Sequence, residues 1–525
     1  MHLVLRTLLL AAMLWLPAAA QTAPTATVIA PALLLPLGGD DPEARVEAVA
    51  ALGALGTPEA AALLRALQDE TLYAAPDGRV LALAPDVAAP DGFDQIVVNN
   101  RLRGAIATAL AGMDLLAPQA DRRLAAARAL LDQELAPAQL QLVRRAASAE
   151  RDAQIATVLT LLVAGADLRA PDAASRAAGA RVLGEEGGAA QRGQLAALLE
   201  PGAEPDAGVR TAAAQALGAI DSRQARLDIV GHLFQGLSLG SVLLLAALGL
   251  AITFGLMGVI NMAHGELLMI GAYTTYLVQT LFRHYLPGAV DLYLLAALPA
   301  AFVVAALAGM ALERTVIRWL YGRPLETLLA TWGISLMLMQ AVRTLFGAQN
   351  VEVANPAWMS GGVTVLGSLV LPYNRIAIIV FAVLVSAAVW LLLNATRLGL
   401  FVRAVMQNRR MAGCVGVPTH RIDMLTFGLG SGIAGLGGVA LSQLGNVGPD
   451  LGQAYIIDSF MVVVLGGVGQ LAGTVIAALG LGGLTKLLEP STGAVLAKIG
   501  ILVLIVIFIQ RRPQGLFALK GRSVE

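Results

Sequence analysis

The sequence predicts an all-α protein in two unlike parts: a helical domain of soluble character, then a polytopic α-helical membrane domain. Three observations predict it. Mean hydropathy is +0.72 and only 14% of the 525 residues are charged, too apolar for a soluble chain of this length. After position 229, apolar runs recur near the ~20 residues that a span requires. Before it, apolar residues return at helical spacing among charged ones. The formal net charge of zero hides this division, since 21–228 carries −8 and 229–525 carries +7.

Residues 1–20 read as a secretory signal peptide. His2 and Arg6 precede a short apolar core at Leu8–Leu16, and Pro17-Ala18-Ala19-Ala20 supplies small residues for cleavage before Gln21. Export places 21–228 outside the cytoplasm, in the periplasm of a Gram-negative cell. The single cysteine, Cys414, lies far from that domain, which must be held by its own core.

Within the exported domain, 44–68 shows helical spacing interrupted by Gly56-Thr57-Pro58-Glu59. Thr57 is placed to cap a second helix and Pro58 suits its first turn. The pattern returns at 209–228, and the pairing resembles HEAT-type helical repeats. Val80–Leu83 and Gln95–Val98, with Pro76-Asp77-Gly78 after Tyr73, predict a small β-hairpin insert. No histidine or cysteine occurs between 21 and 228, which argues against a zinc site or a thiol nucleophile. By elimination the domain serves interaction or spacing. No cofactor, metal or nucleic-acid partner is expected anywhere in the chain.

The membrane domain, 229–525, shows apolar runs at 233–256, 260–282, 292–313, 327–346, 374–394, 422–444, 456–488 and 494–510. The run 456–488 is too long for one span and carries two glycine clusters, Gly466-Gly467-Val468-Gly469 and Gly480-Leu481-Gly482-Gly483. Splitting it gives about nine crossings. Segments 314–326, 397–421 and 511–525 hold 12 of the 17 basic residues of this half, which places them in the cytoplasm. An outside start and an inside end need an odd number of crossings. Gly428, Gly432, Gly435 and Gly438 give one helix a small-residue stripe for close packing.

Asn261, His264 and Glu266 stand between two apolar runs. Ionisable groups at membrane depth cost roughly 2.5–3.5 kcal/mol each on insertion scales and by default mark a function. The alternative is an interfacial loop joining two spans. Asp458 and Ser459 are further candidates for a polar path. The segment 400–418, containing Arg403, Gln407, Asn408, Arg409, Arg410, Met411, Ala412 and Gly416, reads as a short cytoplasmic helix. It places Val402, Val405, Met406, Met411 and Val415 on one side, able to sit in a partner's groove. The alternative is a basic loop that only sets topology.

The motifs Gly236-Leu237-Ser238-Leu239-Gly240-Ser241, Gly258–Glu266, Arg397-Leu398-Gly399 with Arg403-Ala404, and Val464–Gly469 resemble permease subunits of branched-chain amino acid ABC importers. The resemblance covers roughly 230–520. Three features resemble the urea-import branch: Gln407–Ala412, Leu488-Glu489-Pro490 with Gly493–Leu496, and Arg512–Arg522. The signal peptide and long exported extension do so too. Amino-acid members usually have acidic residues near 407–408, where this chain has Gln407 and Asn408.

The resemblance implies an importer assembled from parts. They are a periplasmic substrate-binding protein, two permease subunits in the lipid membrane, and two ATP-binding cassette subunits that dock on the 397–421 segment. The chain has no Gly-x-x-x-x-Gly-Lys-Ser/Thr loop, so ATP falls to a partner and the chain is expected not to be an enzyme. The leading expectation is a urea permease subunit of the cytoplasmic membrane. The alternatives are a permease for branched-chain amino acids or short amides, a passive urea channel, and a membrane-anchored sensor.

Overall fold

The computed structural model describes residues 29–517 except 40, 76–78, 84–88, 91, 132, 134 and 366–368. The signal-peptide reading of 1–20 and the end of the Arg512–Arg522 motif fall outside the described residues. The chain divides into two compact units, Met1–Gln224 and Ala225–Glu525.

The first unit holds α1 (Pro42–Leu55), α2 (Pro58–Gln68), α3 (Asn100–Asp114), α4 (Ala120–Leu130), α5 (Pro137–Ala149), α6 (Ala153–Asp167), α7 (Ala173–Glu186), α8 (Arg192–Ala197) and the start of α9 (Ala207–Met257). Local signals set the boundaries. Asp41 accepts from Glu43 N at the start of α1, and Gly56 ends that helix in the left-handed region at φ 65°. Thr57 Oγ1 caps α2 through Ala60 N at 3.3 Å, with Pro58 in the first turn. Three hydrophobic cores follow one another along the chain. Leu52, Leu64 and Ile106 centre the first, Leu130, Val143 and Leu159 the second, and Leu183, Leu195 and Ala213 the third.

The insert differs from its sequence reading. A strand at Leu72–Ala74 (β1) is central, paired antiparallel with Val80–Ala82 (β2) on one side and Asp94–Gln95 (β3) on the other. The two predicted strands therefore do not pair with each other. Residues 72–74 were too short a run to register as a strand, yet both neighbours need their hydrogen bonds.

One device recurs in this unit. Arg123, the fourth residue of α4, donates to the carbonyls of Ala117 and Pro118 and forks onto Glu150 at 2.8 and 3.1 Å. Arg176, the fourth residue of α7, does the same to Ala170, Pro171 and Glu204 at 2.8 and 2.9 Å for the fork. Each glutamate also accepts the N–H two residues on, from Asp152 and Asp206. Ala-Pro before the arginine and Glu-x-Asp before the next helix are a repeated signal that the sequence reading missed.

The second unit comprises the rest of α9, then α10 (His264–Tyr285), α11 (Tyr293–Thr315), α12 (Pro324–Phe346), a hairpin of β4 (Gly362–Val365) and β5 (Leu369–Pro372), α13 (Tyr373–Ala395), α14 (Arg397–Gln407), α15 (Arg409–Cys414), α16 (Thr419–Ser442), α17 (Leu451–Gly466), α18 (Leu471–Thr492) and α19 (Ala494–Arg511). Among the described residues, seven helices are long and apolar enough to cross a membrane: α9, α11 to α13, α16, α18 and α19. The run 456–488 is two helices, broken at Gly466–Gly469 and not at Gly480–Gly483, which stay helical inside α18. Gly467 and Gly469 adopt φ 101° and 84°, which side chains disfavour.

Helix α16 is the hub of this unit, packed on α10 and α11. Its glycines divide between partners. Gly428, Gly432 and Gly435 meet α11, while Gly438 meets α10 at Leu268 and Ala272. A side chain at Gly271 would overlap the backbone of Gly435, so backbone-on-backbone contact fixes this crossing.

Candidate functional site

The stretch Asn261–Glu266 runs from the link after α9 into the first turn of α10 and is buried inside the unit. Asn261 and His264 are fully buried, and Glu266 is 1% exposed. Two bonds fix its depth. Glu266 Oε1 accepts from the hydroxyl of Ser335, the central residue of α12. His264 Nε2 lies 2.9 Å from the carbonyl of Ala246, midway along the apolar run 233–256 of α9. Both partners lie well inside their helices, so the chain turns back after Met257 and restarts its helix within the unit. Met262 N donates to Thr331 Oγ1 at 3.1 Å, and Asn261 Oδ1 accepts Ala263 N at 3.0 Å, which holds the irregular segment in place. Non-helical backbone at this depth is tolerated only where protein buries it or a cavity adjoins it.

A second helix start meets the first there. After α16 the chain runs through 443–450, where Val447 and Val351 exchange backbone bonds of 2.8 and 2.9 Å, and starts α17 at Leu451. Gly452, in the first turn of α17, has its backbone against Gly265 and sits beside Glu266 Oε2. The N-terminal ends of α10 and α17 are thus neighbours, and helix N-termini carry partial positive charge.

The cluster is incompletely paired. Asn261 Nδ2, His264 Nδ1, Glu266 Oε2 and Tyr273 OH have no partner among the described residues. A carbonyl can only accept, so His264 Nε2 donates to Ala246, and Nδ1 is left as a bare acceptor. Tyr273 follows Glu266 by two helical turns, with its ring against Phe346 at 4.7 Å. An unmet buried polar atom costs about 1–3 kcal/mol, and three of these four belong to the short stretch Asn261–Glu266.

A neighbouring network shows the contrary case. Tyr293 OH donates to Ala354 O at 2.9 Å and lies 3.1 Å from Gln443 Oε1. Gln279 bonds both the carbonyl and the N–H of Ala354, at 2.7 and 3.3 Å. Its members serve one another and pin the 347–361 loop.

The other sequence candidates separate from Glu266. Asp458 turns to Lys498 of α19, 3.2 Å away. Ser459 is buried and donates within its own helix to Tyr455 O. The segment 397–414 is two helices rather than one, because Asn408 is extended (φ −155°) and caps α15 through Met411 N at 2.9 Å. Val402, Val405 and Met406 therefore share no single helical face with Met411 and Val415. Arg403 folds back onto Leu393 O and Asn394. Arg409 reaches Asp423 with its side chain still 41% exposed, Ala412 is buried, and Gln407, Arg410, Met411, Val415 and Gly416 are exposed, Gly416 at φ 90°. Thr331, Ser335, Tyr273 and Gly452 were missed because hydroxyls and glycines in apolar helices carry no distinctive pattern.

Comparison with known proteins gives a consistent result. A family model described as branched-chain amino acid transport system / permease component matches residues 232–509. The high-affinity branched-chain amino acid transport system permease protein BraD of Pseudomonas aeruginosa is 32% identical over 299 residues, spanning 54% of this chain and 94% of the relative. LivH of Escherichia coli K12, with the same description, is 30% identical over 261 residues, 49% of this chain and 84% of the relative. The ribose import permease protein RbsC of Bacillus subtilis is 31% identical over 143 residues, 25% of this chain and 44% of the relative. These relatives are transport permeases, not enzymes, and residues before 232 lie outside the family match.

Proposed function

The chain belongs to the family of branched-chain amino acid transport permease components, and from that premise we propose that it is a permease subunit of an ATP-driven importer in the cytoplasmic membrane, carrying a small amino acid or amide inward. A second permease subunit completes the path, two separate ATPase subunits supply energy at the 397–421 segment, and a periplasmic binding protein delivers solute. The N-terminal unit is read as an exported helical-repeat domain that receives that binding protein, with the C-terminus in the cytoplasm.

The observation that carries the reading is the half-paired polar cluster where α10 and α17 begin. Glu266 Oε2 and His264 Nδ1 accept from an ammonium or amide N–H, while Asn261 Nδ2 and the two helix N-termini favour a carboxylate or carbonyl oxygen. That set suits both ends of an amino acid without a basic side chain. The similarity to BraD and LivH supports branched-chain amino acids as the solute.

Urea is the second reading, and a specific observation favours it. No lysine or arginine is among the buried polar residues described, so no full positive charge awaits a carboxylate. The urea-like motifs and the N-terminal unit beyond the family match add to it. Uptake of labelled leucine and labelled urea, in cells with and without this gene, decides between them. Leucine accumulation alone supports the first solute and urea accumulation alone the second. Entry that survives an inactive ATPase partner and only equilibrates the solute would sink the importer reading in favour of a channel.

A further inference from the structure

A second polar cluster lies away from Glu266, where 397–414 meets the helix ends. Arg409, the first residue of α15, forks onto Asp423 of α16, with Nη1 3.2 Å from Oδ1 and Nη2 on Oδ2. Its guanidinium also covers the ring of Tyr321, 4.8 Å from the centroid. Tyr321 OH is 3.4 Å from Glu313 Oε1 near the end of α11. Asp423 and Glu313 are buried. Arg409 is thus the hinge point of three elements, α15, α16 and the 316–323 turn that leads into α12. The turn is itself tied to α12, since Thr327 Oγ1 donates to Leu320 O at 3.1 Å.

These elements also frame the Glu266 site. Helix α12 carries Thr331 and Ser335, which hold Met262 and Glu266. Helix α16 packs on α10, which begins at His264. The opposite side of α15 faces outward, with Met411 62% and Val415 74% exposed, so one short helix has a free face and an anchored one.

We propose that Arg409 and Asp423 form a latch that makes the α14–α15 segment move together with α12 and α16, so that motion received on its outer face reaches the Glu266 site. The proposal rests on the reading of this segment as the ATPase contact. Arg409 is then a positioning residue: it touches no solute, and its fork and its ring contact join the segment to both helices at once. A lysine would keep the charge and lose the fork.

The test uses the whole transporter in proteoliposomes, with leucine and urea as probes, and reads solute uptake per ATP hydrolysed. R409A is expected to lower that ratio about tenfold, within the usual range of coupling between sites, while the ATPase subunits still copurify and hydrolyse ATP. R409K is expected to fall between, and the exchange R409D with D423R to regain part of the ratio. If R409A does not accumulate, Y321L tests the same latch with the ion pair intact and is expected to lower the ratio. Wild-type uptake per ATP in R409A or, where that variant does not accumulate, in Y321L would overturn the latch. So would loss of ATPase copurification in R409A, which would make Arg409 a docking residue. A wild-type complex whose uptake ignores ATP would overturn the importer reading itself.

Discussion

Glu150 and Glu204 in the first unit and Glu266 in the second are all buried carboxylates, with side chains or residues at most 5% exposed, yet they are built in opposite ways. Glu150 takes a guanidinium fork from Arg123 and a backbone N–H from Asp152. The bond from Arg123, then that backbone N–H, hold its pKa down at about 2. The bond from Arg176 likewise holds Glu204 below the ordinary carboxylate range. Glu266 has one hydroxyl and a bare oxygen. Burial alone therefore does not distinguish these carboxylates. Completeness of pairing does, because each unmet buried polar atom costs about 1–3 kcal/mol.

The contrast can be broken most directly at Glu266. Glu266→Gln keeps the shape and removes the charged acceptor, so uptake is expected to fall about 10- to 100-fold, the scale of a hydrogen bond to a charged group, with normal amounts of chain in the membrane. Full uptake in that variant would remove Glu266 from the site. Gly271→Leu attacks the frame instead, since its side chain would enter the backbone of Gly435. Overpacking of this kind costs about 1–3 kcal/mol or more, read as loss of folded chain from the membrane.

On the paired side, Arg123→Ala strands Glu150 and is expected to lower the Tm of the first unit by several degrees. Uptake per assembled chain holds, and limited proteolysis of the full-length protein during heating reads the Tm. The sign of the acid response follows from linkage. Glu150 titrates near 4.5 when unfolded and near 2 when folded, so the unfolded chain binds more protons between those values. Its contribution is complete above the upper value and is lost as pH falls through the lower one. Acid melts should show this loss in the wild type and a flatter limb in Arg123→Ala. Tyr293→Phe should have the smallest effect, about 1 kcal/mol of stability with uptake retained, because its network is already closed.

Much of the site was legible in the chain. Asn261, His264 and Glu266 stand out because polar residues within apolar runs are rare and costly. Their burial was not legible, because a loop at the end of a span and a helix that restarts inside the unit share one hydropathy pattern. Arg409 was legible as a basic residue in a basic segment, but not its ion pair, which depends on the extended backbone at Asn408 and the carboxylate of Asp423, fourteen positions away. In the first unit, the Ala-Pro and Glu-x-Asp signals were present but short.

By itself the sequence determined the helical class, the change of character near 229 and a break somewhere in 456–488, because hydropathy period and glycine content act over a few residues. Only the tertiary structure decided that α10 and α17 begin side by side, that Ser335 and Gly452 stand at Glu266, and that Asp458 belongs instead to Lys498. Those outcomes depend on which unpaired atoms find partners across distant helices, and pairing across space leaves no local pattern in the chain.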